Sequence, residues 1–162
     1  MKILVLSDSH SALQFMRCAV NALRPDAVVH LGDHYDDGQT IAEEFPHIRF
    51  HLVPGNCDRY RMMMTQPQIL CYDVCGARLY MTHGHLHSVK ASLFRLLSDA
   101  HNAGAQAALY GHTHIADCHR DGELWVLNPG SCGYGGGSAG LIEVENGKIL
   151  SCRIVHHDEL EV

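Results

Sequence analysis

The apolar positions of this chain change period along its length. Ile3-Leu4-Val5-Leu6 is a continuous apolar run suited to a buried strand over residues 2–6. Leu13, Met16, Val20 and Leu23 follow at steps of three and four, the stripe of an amphipathic helix, and Pro25 stops it. Residues 27–31 (AVVHL) read as a second strand, residues near 38–45 as a short helix, and residues 49–53 (RFHLV) as a third strand closed by Pro54-Gly55. Strand-helix-strand-helix-strand with short connections predicts a parallel sheet with right-handed crossovers.

The second half reads as more antiparallel. Residues 68–74 and 77–82 are strand patterns joined at Cys75-Gly76. Val89, Leu93, Leu96, Leu97 and Ala100 mark a helix that Gly104 is placed to end. Residues 106–110 form another strand. Ile115–Cys118 and Leu124–Leu127 flank an Asp121-Gly122 turn, and Leu141–Val144 and Ile149–Val155 flank Asn146-Gly147, a strong hairpin signal. The pattern predicts an α/β fold of two mixed β-sheets packed face to face with helices on the outside, a four-layer α/β/β/α sandwich. With 162 residues it is expected to form one domain over 1–162.

Composition narrows the function. Acidic residues outnumber basic ones by 18 to 12, for a net charge of -6, and no basic stripe appears, so broad nucleic-acid binding is not expected. The opening apolar run is too short for a signal-peptide core, and no stretch approaches the ~20 apolar residues of a membrane span. The seven cysteines are scattered with no Cys-x-x-Cys, which suits reduced thiols in a cytoplasmic location and argues against a thiolate zinc site. The fourteen histidines are the unusual feature.

The histidines of interest fall just past strand ends. Asp8-x-His10 follows the first strand, Gly32-Asp33 the second and Gly55-Asn56 the third. His83-Gly84 follows residues 77–82, and Gly111-His112-Thr113-His114 follows residues 106–110. In open α/β sheets, ligands bind beyond the carboxyl ends of the strands, so five loops are expected to converge on one rim. The side chains there are oxygen and imidazole donors, a set that suits manganese, iron, nickel or zinc and disfavours calcium. Seven donors are too many for one ion with an open position; they suit two divalent metal ions sharing a carboxylate. Against this stands the plain reading of each residue alone: Asp8 or Ser9 could cap the helix that follows, and His112 and His114 could share a strand face by chance. His30, His47, His51, His101, His119, His156 and His157 read as structural or solvent-facing, while His34, His85 and His87 lie beside the donor motifs.

The series Asp8-x-His10, Gly32-Asp33, Gly55-Asn56-Cys57-Asp58, His83-Gly84-His85 and Gly111-His112-Thr113-His114 resembles the calcineurin-like metallophosphoesterase superfamily. The chain length, Cys57 and the trailing Asn128-Pro129-Gly130-Ser131 look most like its small bacterial and archaeal phosphodiesterase branch. The resemblance covers residues 3 to about 131. It implies one ion held by Asp8, His10, Asp33 and His114, and a second by Asp33, Asn56, His83 and His112, with manganese favoured and zinc, nickel or iron as substitutes. It further implies attack on a small phosphate-ester substrate, more readily a diester, by a hydroxide bridging the ions. Cys57 stands where many members carry a histidine that helps the leaving group, so Cys57, Asp58 and His85 are candidates for supporting roles. Two rival functions follow from the same resemblance: a scaffold of this fold that binds a partner protein, and a phosphomonoesterase or exonuclease on short oligonucleotides. Self-association into a homo-oligomer is compatible with either. The glycine-rich segment 133–138 lacks the ending of a P-loop and reads as a flexible connection, and Met62-Met63-Met64 as an apolar lip or a plain loop.

Overall fold

The computed structural model describes residues 1–160. Ten strands alternate with four helices: β1 Lys2–Leu6, α1 Leu13–Leu23, β2 Ala27–His30, α2 Tyr35–Glu44, β3 Arg49–Leu52, α3 Tyr60–Thr65, β4 Ile69–Val74, β5 Ala77–Thr82, α4 Phe94–Asn102, β6 Ala107–Leu109, β7 Asp117–Asp121, β8 Leu124–Asn128, β9 Ser138–Glu145 and β10 Lys148–His156. They build two five-stranded mixed sheets, ordered β10-β9-β1-β2-β3 and β4-β5-β6-β8-β7. The first three strands pair in parallel, with Val5 opposite Val29 and Val29 opposite His51. In the second sheet β5, β6 and β8 are parallel neighbours, and β4 and β7 close its edges antiparallel.

The apolar alternation explains the layers. Ile3, Val5, Val29 and Leu31 face Leu79, Met81, Ala107 and Leu109 across the sandwich interior, all fully buried or nearly so. The opposite face of the first sheet, with Leu4, Leu6 and Val28, is covered by Phe15, Met16 and Val20 of α1 and Ile41 of α2. The opposite face of the second, with Tyr80, Ala108 and Val126, is covered by Leu96 and Ala100 of α4. Four layers result, as the sequence pattern predicts. Each large aliphatic side chain buried this way contributes about 1.5–3 kcal/mol, so the stability resides in the layers and the loops are free to hold costly shapes.

Several boundaries differ from the sequence reading. Helix α2 starts at Tyr35, because Asp36 and Asp37 favour the first turn of a helix and Gly38 is needed where the helix crosses β3. A Cβ on Gly38 would lie 3.0 Å from Leu52 and 3.2 Å from His30. Helix α4 begins only at Phe94; Val89 and Leu93 lie in the turns before it yet pack into the same cluster, which mimics one longer stripe. Strand β7 starts at Asp117, not Ile115, and Ile115 is 70% exposed. Helix α3 carries no buried residue, so no periodicity betrays it in the sequence. Among the described residues no helix is long and apolar enough to cross a membrane.

Candidate metal centre

The loops after β1, β2, β3, β5 and β6 meet at one rim and are stitched together by their backbones. Asp8 N–H donates to the Gly32 carbonyl (2.9 Å), and Gly111 N–H to the His83 carbonyl (2.9 Å). Asp8 is fully buried. Its Oδ2 accepts from the Ser7 hydroxyl (2.6 Å) and from the His112 backbone N–H (3.0 Å). Its Oδ1 is buried and accepts no hydrogen bond, and His10 Nε2 is in the same condition. A buried carboxylate oxygen left bare is costly. Around it stand His114 Nε2 at 3.1 Å and His83 Nε2 at 3.9 Å. Asp8, His10, Asp33 and His114 each bring one donor atom to a cluster whose members lie within 4.8 Å of one another.

Asn56 and His112 gather around His83, which itself contacts Asp33. Asp33 Oδ1 accepts the Cys57 backbone N–H (2.8 Å) and lies 3.4 Å from His83 Nε2. His83 Nδ1 contacts the Leu31 carbonyl at 2.7 Å. A carbonyl can only accept, so Nδ1 carries the proton and Nε2 turns to Asn56 Oδ1 (3.1 Å) and the carboxylates. The His112 ring lies 5.0 Å from that of His83.

The electrostatics follow. Burial, then the charges of His83 and Lys90, bring His112 down to about 4. Burial and His34 lower His10. His83 goes the other way: burial opposes its charge, but the Asp33 hydrogen bond and the charges of Asp8 and Asp33 outweigh it. Burial also opposes ionisation of Asp33, and the His83 contact and Cys57 N–H outweigh it, holding the carboxylate well below its usual range. Ionised carboxylates beside imidazole lone pairs, with two buried donor atoms unpartnered, are a donor set that fits a divalent cation.

The rim is held in shapes that ordinary strands and helices do not provide. Asp8, His10, Asp33, His112 and His114 all have positive φ, between 42° and 68°. Helix α1 has Ala12 at its N-cap and no side-chain cap, so capping does not explain Asp8 or Ser9. Gly55 is required because a Cβ there would collide with the Asp33 carboxylate and backbone nitrogen. Asn128 donates to the Gly111 carbonyl (3.1 Å) and Thr113 hydroxyl (2.9 Å), bracing the loop after β6. Ser131 donates to the Asp8 carbonyl (2.7 Å).

The supporting candidates separate. Asp58 accepts three backbone N–H groups, from Asp33, Tyr35 and Gly55 (3.1, 2.7 and 2.6 Å), which makes it a clamp between loops. Cys57 is exposed beside Asn56, and burial, then Asp33, raise its thiol, which stays protonated. Both ring nitrogens of His85 are buried without partners, and the ring lies 5.5 Å from His83. Met62 helps line a small cavity of about 200 Å³ with His34, Cys57 and Asp58.

The sequence reading misses Tyr134. Its ring stacks on His114 (centroids 5.2 Å apart, 12° between planes) and meets His10 at 4.9 Å. The segment 133–138 is therefore no loose connection at this end: the Gly133 and Tyr134 N–H groups both donate to Ser131 Oγ. A lone aromatic among glycines, directly after a turn that braces the rim, is the signal that could have found it.

Residues 1–147 match the family model of the calcineurin-like phosphoesterase superfamily domain. Probable metallophosphoesterase YsnB of Bacillus subtilis (strain 168) is 30% identical over 131 residues, 81% of this chain and 75% of that protein. Among solved structures, an archaeal phosphodiesterase has a TM-score of 0.69 at 25% identity, covering 96% of this chain and 99% of its own. Zinc-complexed Vps29 from Entamoeba histolytica has a TM-score of 0.74 at 20% identity, covering 97% of this chain and 99% of its own, a likeness of fold alone.

Proposed function

This chain belongs to the calcineurin-like phosphoesterase superfamily, and from that membership we propose a metal-dependent phosphodiesterase that works with two divalent cations. The observation that carries this reading is the pair of buried donor atoms that make no hydrogen bond, Asp8 Oδ1 and His10 Nε2, inside a cluster with Asp33 and His114. Asp8, His10, Asp33 and His114 would hold one cation; Asn56, His83 and His112 would hold a second, with Asp33 shared. When bound, such cations neutralise phosphoryl charge and supply an ionised water as nucleophile near neutral pH.

The chain's own residues prepare the site. The Leu31 carbonyl fixes the His83 ring with Nε2 toward the cluster, the carboxylate–histidine logic of metal sites with a backbone oxygen in the carboxylate's place. Cys57 keeps its proton and stands exposed at the rim, where it can donate to a departing alkoxide. His85, buried and unpartnered beside His83, is the second candidate for contact with the ester. The diester preference is supported by the likeness to the archaeal phosphodiesterase and by the scarcity of cations at the rim: Arg59 is drawn to Asp36 at 3.6 Å. A mixed oxygen and imidazole donor set accepts manganese as well as zinc, nickel or iron, and manganese is proposed on the ground of availability. The substrate is a small molecule and not a nucleic-acid duplex, consistent with a charge of -6. The cysteines, free among the described residues, support a reducing cytoplasmic location.

A partner-binding scaffold of the same fold is the second reading, with which the fold likeness to Vps29 is compatible. The complete donor set weighs against it as the sole role. The test is turnover of an aryl phosphodiester and its matching monoester by chelator-stripped protein with and without added manganese. Diester turnover restored by manganese and lost in Asp33→Asn is the expected result. Turnover of neither ester, or turnover indifferent to stripping, refutes the enzyme reading.

A further inference from the structure

A groove of about 590 Å³ opens beside the metal rim. Val89, Leu93, Tyr110 and Ile115 give it an apolar lining, and Thr113 and Lys90 are polar members. It shares its backbone with the donor cluster. Thr113 sits between His112 and His114 in the chain, and Tyr110 directly precedes Gly111. Behind the other loop, a Cβ on Gly84, the residue after His83, would lie 2.8 Å from Val89 Cγ2 and 3.6 Å from Tyr110 Cβ.

Two features of the groove point to a ligand. Ile115 is 70% exposed at its edge, an apolar surface adjoining a polar site. Lys90 forms no ion pair among the described residues, whereas the groove's acid, Asp117, is engaged by His119 at 2.7 Å. The groove therefore offers apolar area and one uncommitted positive charge directly beside a phosphoryl site. A phosphodiester has the complementary chemistry: a single negative charge and a second organic arm that must lie somewhere off the metals.

We propose that this groove binds an aromatic ester arm of the substrate, packed against Val89, Leu93 and Ile115, while Lys90 pairs with the diester anion. This deepens the phosphodiesterase reading and rests on it. A methyl arm leaves the apolar lining in water; an aryl arm removes both surfaces from it, and discrimination on the order of tenfold or more is usual for such contacts.

The test uses manganese-loaded protein and two monoanionic diester mimics, methyl phenylphosphonate and methyl methylphosphonate, whose variable arm sits on carbon and is not cleaved. Calorimetric affinities are expected to favour the phenyl compound about tenfold in the wild type. Ile115→Ser is expected to reduce that ratio to about twofold, and Leu150→Ser, at an exposed site on β10, to leave it as it was. Lys90→Gln should weaken both compounds and preserve the ratio. Equal affinity of the wild type for both compounds overturns the proposal, as does a preference that survives both Ile115→Ser and Val89→Ala; a groove that instead receives a partner protein gives that result. Failure of the phosphodiesterase reading appears separately, as lack of turnover in a protein whose phosphonate preference is intact.

Discussion

Replacing Asp58 by alanine tests how the rim is held together. One carboxylate accepts the N–H groups of Asp33 (3.1 Å), Gly55 (2.6 Å) and Tyr35 (2.7 Å), tying the loop after β2, the loop after β3 and the first turn of α2. Hydrogen bonds to an ionised acceptor are worth about 1.5–3 kcal/mol each. The site is half-buried, so water replaces part of what is lost, and the expected cost is about 3 kcal/mol in total. For a chain of this size that corresponds to a fall in Tm of roughly 6–12 °C. Asp36→Ala is the matched control: its partner Arg59 is 3.6 Å away, both side chains are at least half exposed, and the expected change is under ~0.5 kcal/mol. Urea unfolding of chelator-stripped protein measures both variants without any contribution from bound metal, provided the m-value is unchanged. Asp58→Asn, which keeps one acceptor oxygen, should fall between alanine and wild type. An Asp58→Ala variant within about 0.5 kcal/mol of Asp36→Ala would refute the clamp.

Three further outcomes are expected. Ser131→Ala removes a hydroxyl that donates to the Asp8 carbonyl and accepts from Gly133 and Tyr134, and should cost about 1–3 kcal/mol in the same unfolding assay. His30 is fully buried and neutral, brought down to about 4 chiefly by burial, with Nδ1 accepting from Gly32 N–H and Nε2 bonded to Ser9. The unfolded chain takes up a proton below its ordinary value of 6.5 that the folded chain refuses, so this stability is present above pH 6.5 and is lost toward pH 4, by about 3 kcal/mol. His30→Asn should flatten the fall in unfolding free energy over that range; an equally steep fall would exclude His30 as its source. Tyr134→Leu should weaken manganese binding about 2- to 10-fold in a chelator competition, the size of an aromatic contact, while Tyr134→Phe should leave it unchanged.

What the sequence makes legible divides along physical lines. Burial on a regular element leaves a period, so Ile3–Leu6, the α1 stripe and the Asn146-Gly147 hairpin can be read directly, and the two-sheet architecture with them. The candidate donors are legible for a different reason: Asp, Asn and His just past apolar strands, several of them next to glycine, stand apart from the hydrophobic pattern, and the loops that carry them meet at one rim. The clamps leave no period. Asp58 looks like any loop carboxylate until three N–H groups are found pointing at it. His30 reads as a strand residue, and its bond to Ser9, which in turn donates to Asp37 at 2.8 Å, depends on two loops meeting. Helix α3 buries nothing and so leaves no period, and Tyr134, placed by Ser131, leaves only the mark of a lone aromatic among glycines.

The left-handed backbone at the donors follows from the same division. A non-glycine residue at positive φ costs about 1–2 kcal/mol, and five of the seven donors adopt it: Asp8, His10, Asp33, His112 and His114. Glycine would relieve that strain at each of them, but glycine has no donor atom. The chain instead spends its glycines one step away. Gly55 yields space to the Asp33 carboxylate, and Gly111 lies where a Cβ would strike Ser7 and Asp8. At the rim, strain thus falls on residues whose side chains turn off the strand ends toward one point, and steric relief falls on glycines beside them. The layers beneath can bear the cost, since the sandwich interior is apolar and closed. Left-handed residues also occur in plain turns such as Cys75 and Asn146; what sets the rim apart is that five of them coincide there with buried donor atoms that make no hydrogen bond, the combination expected of a rim shaped for a ligand.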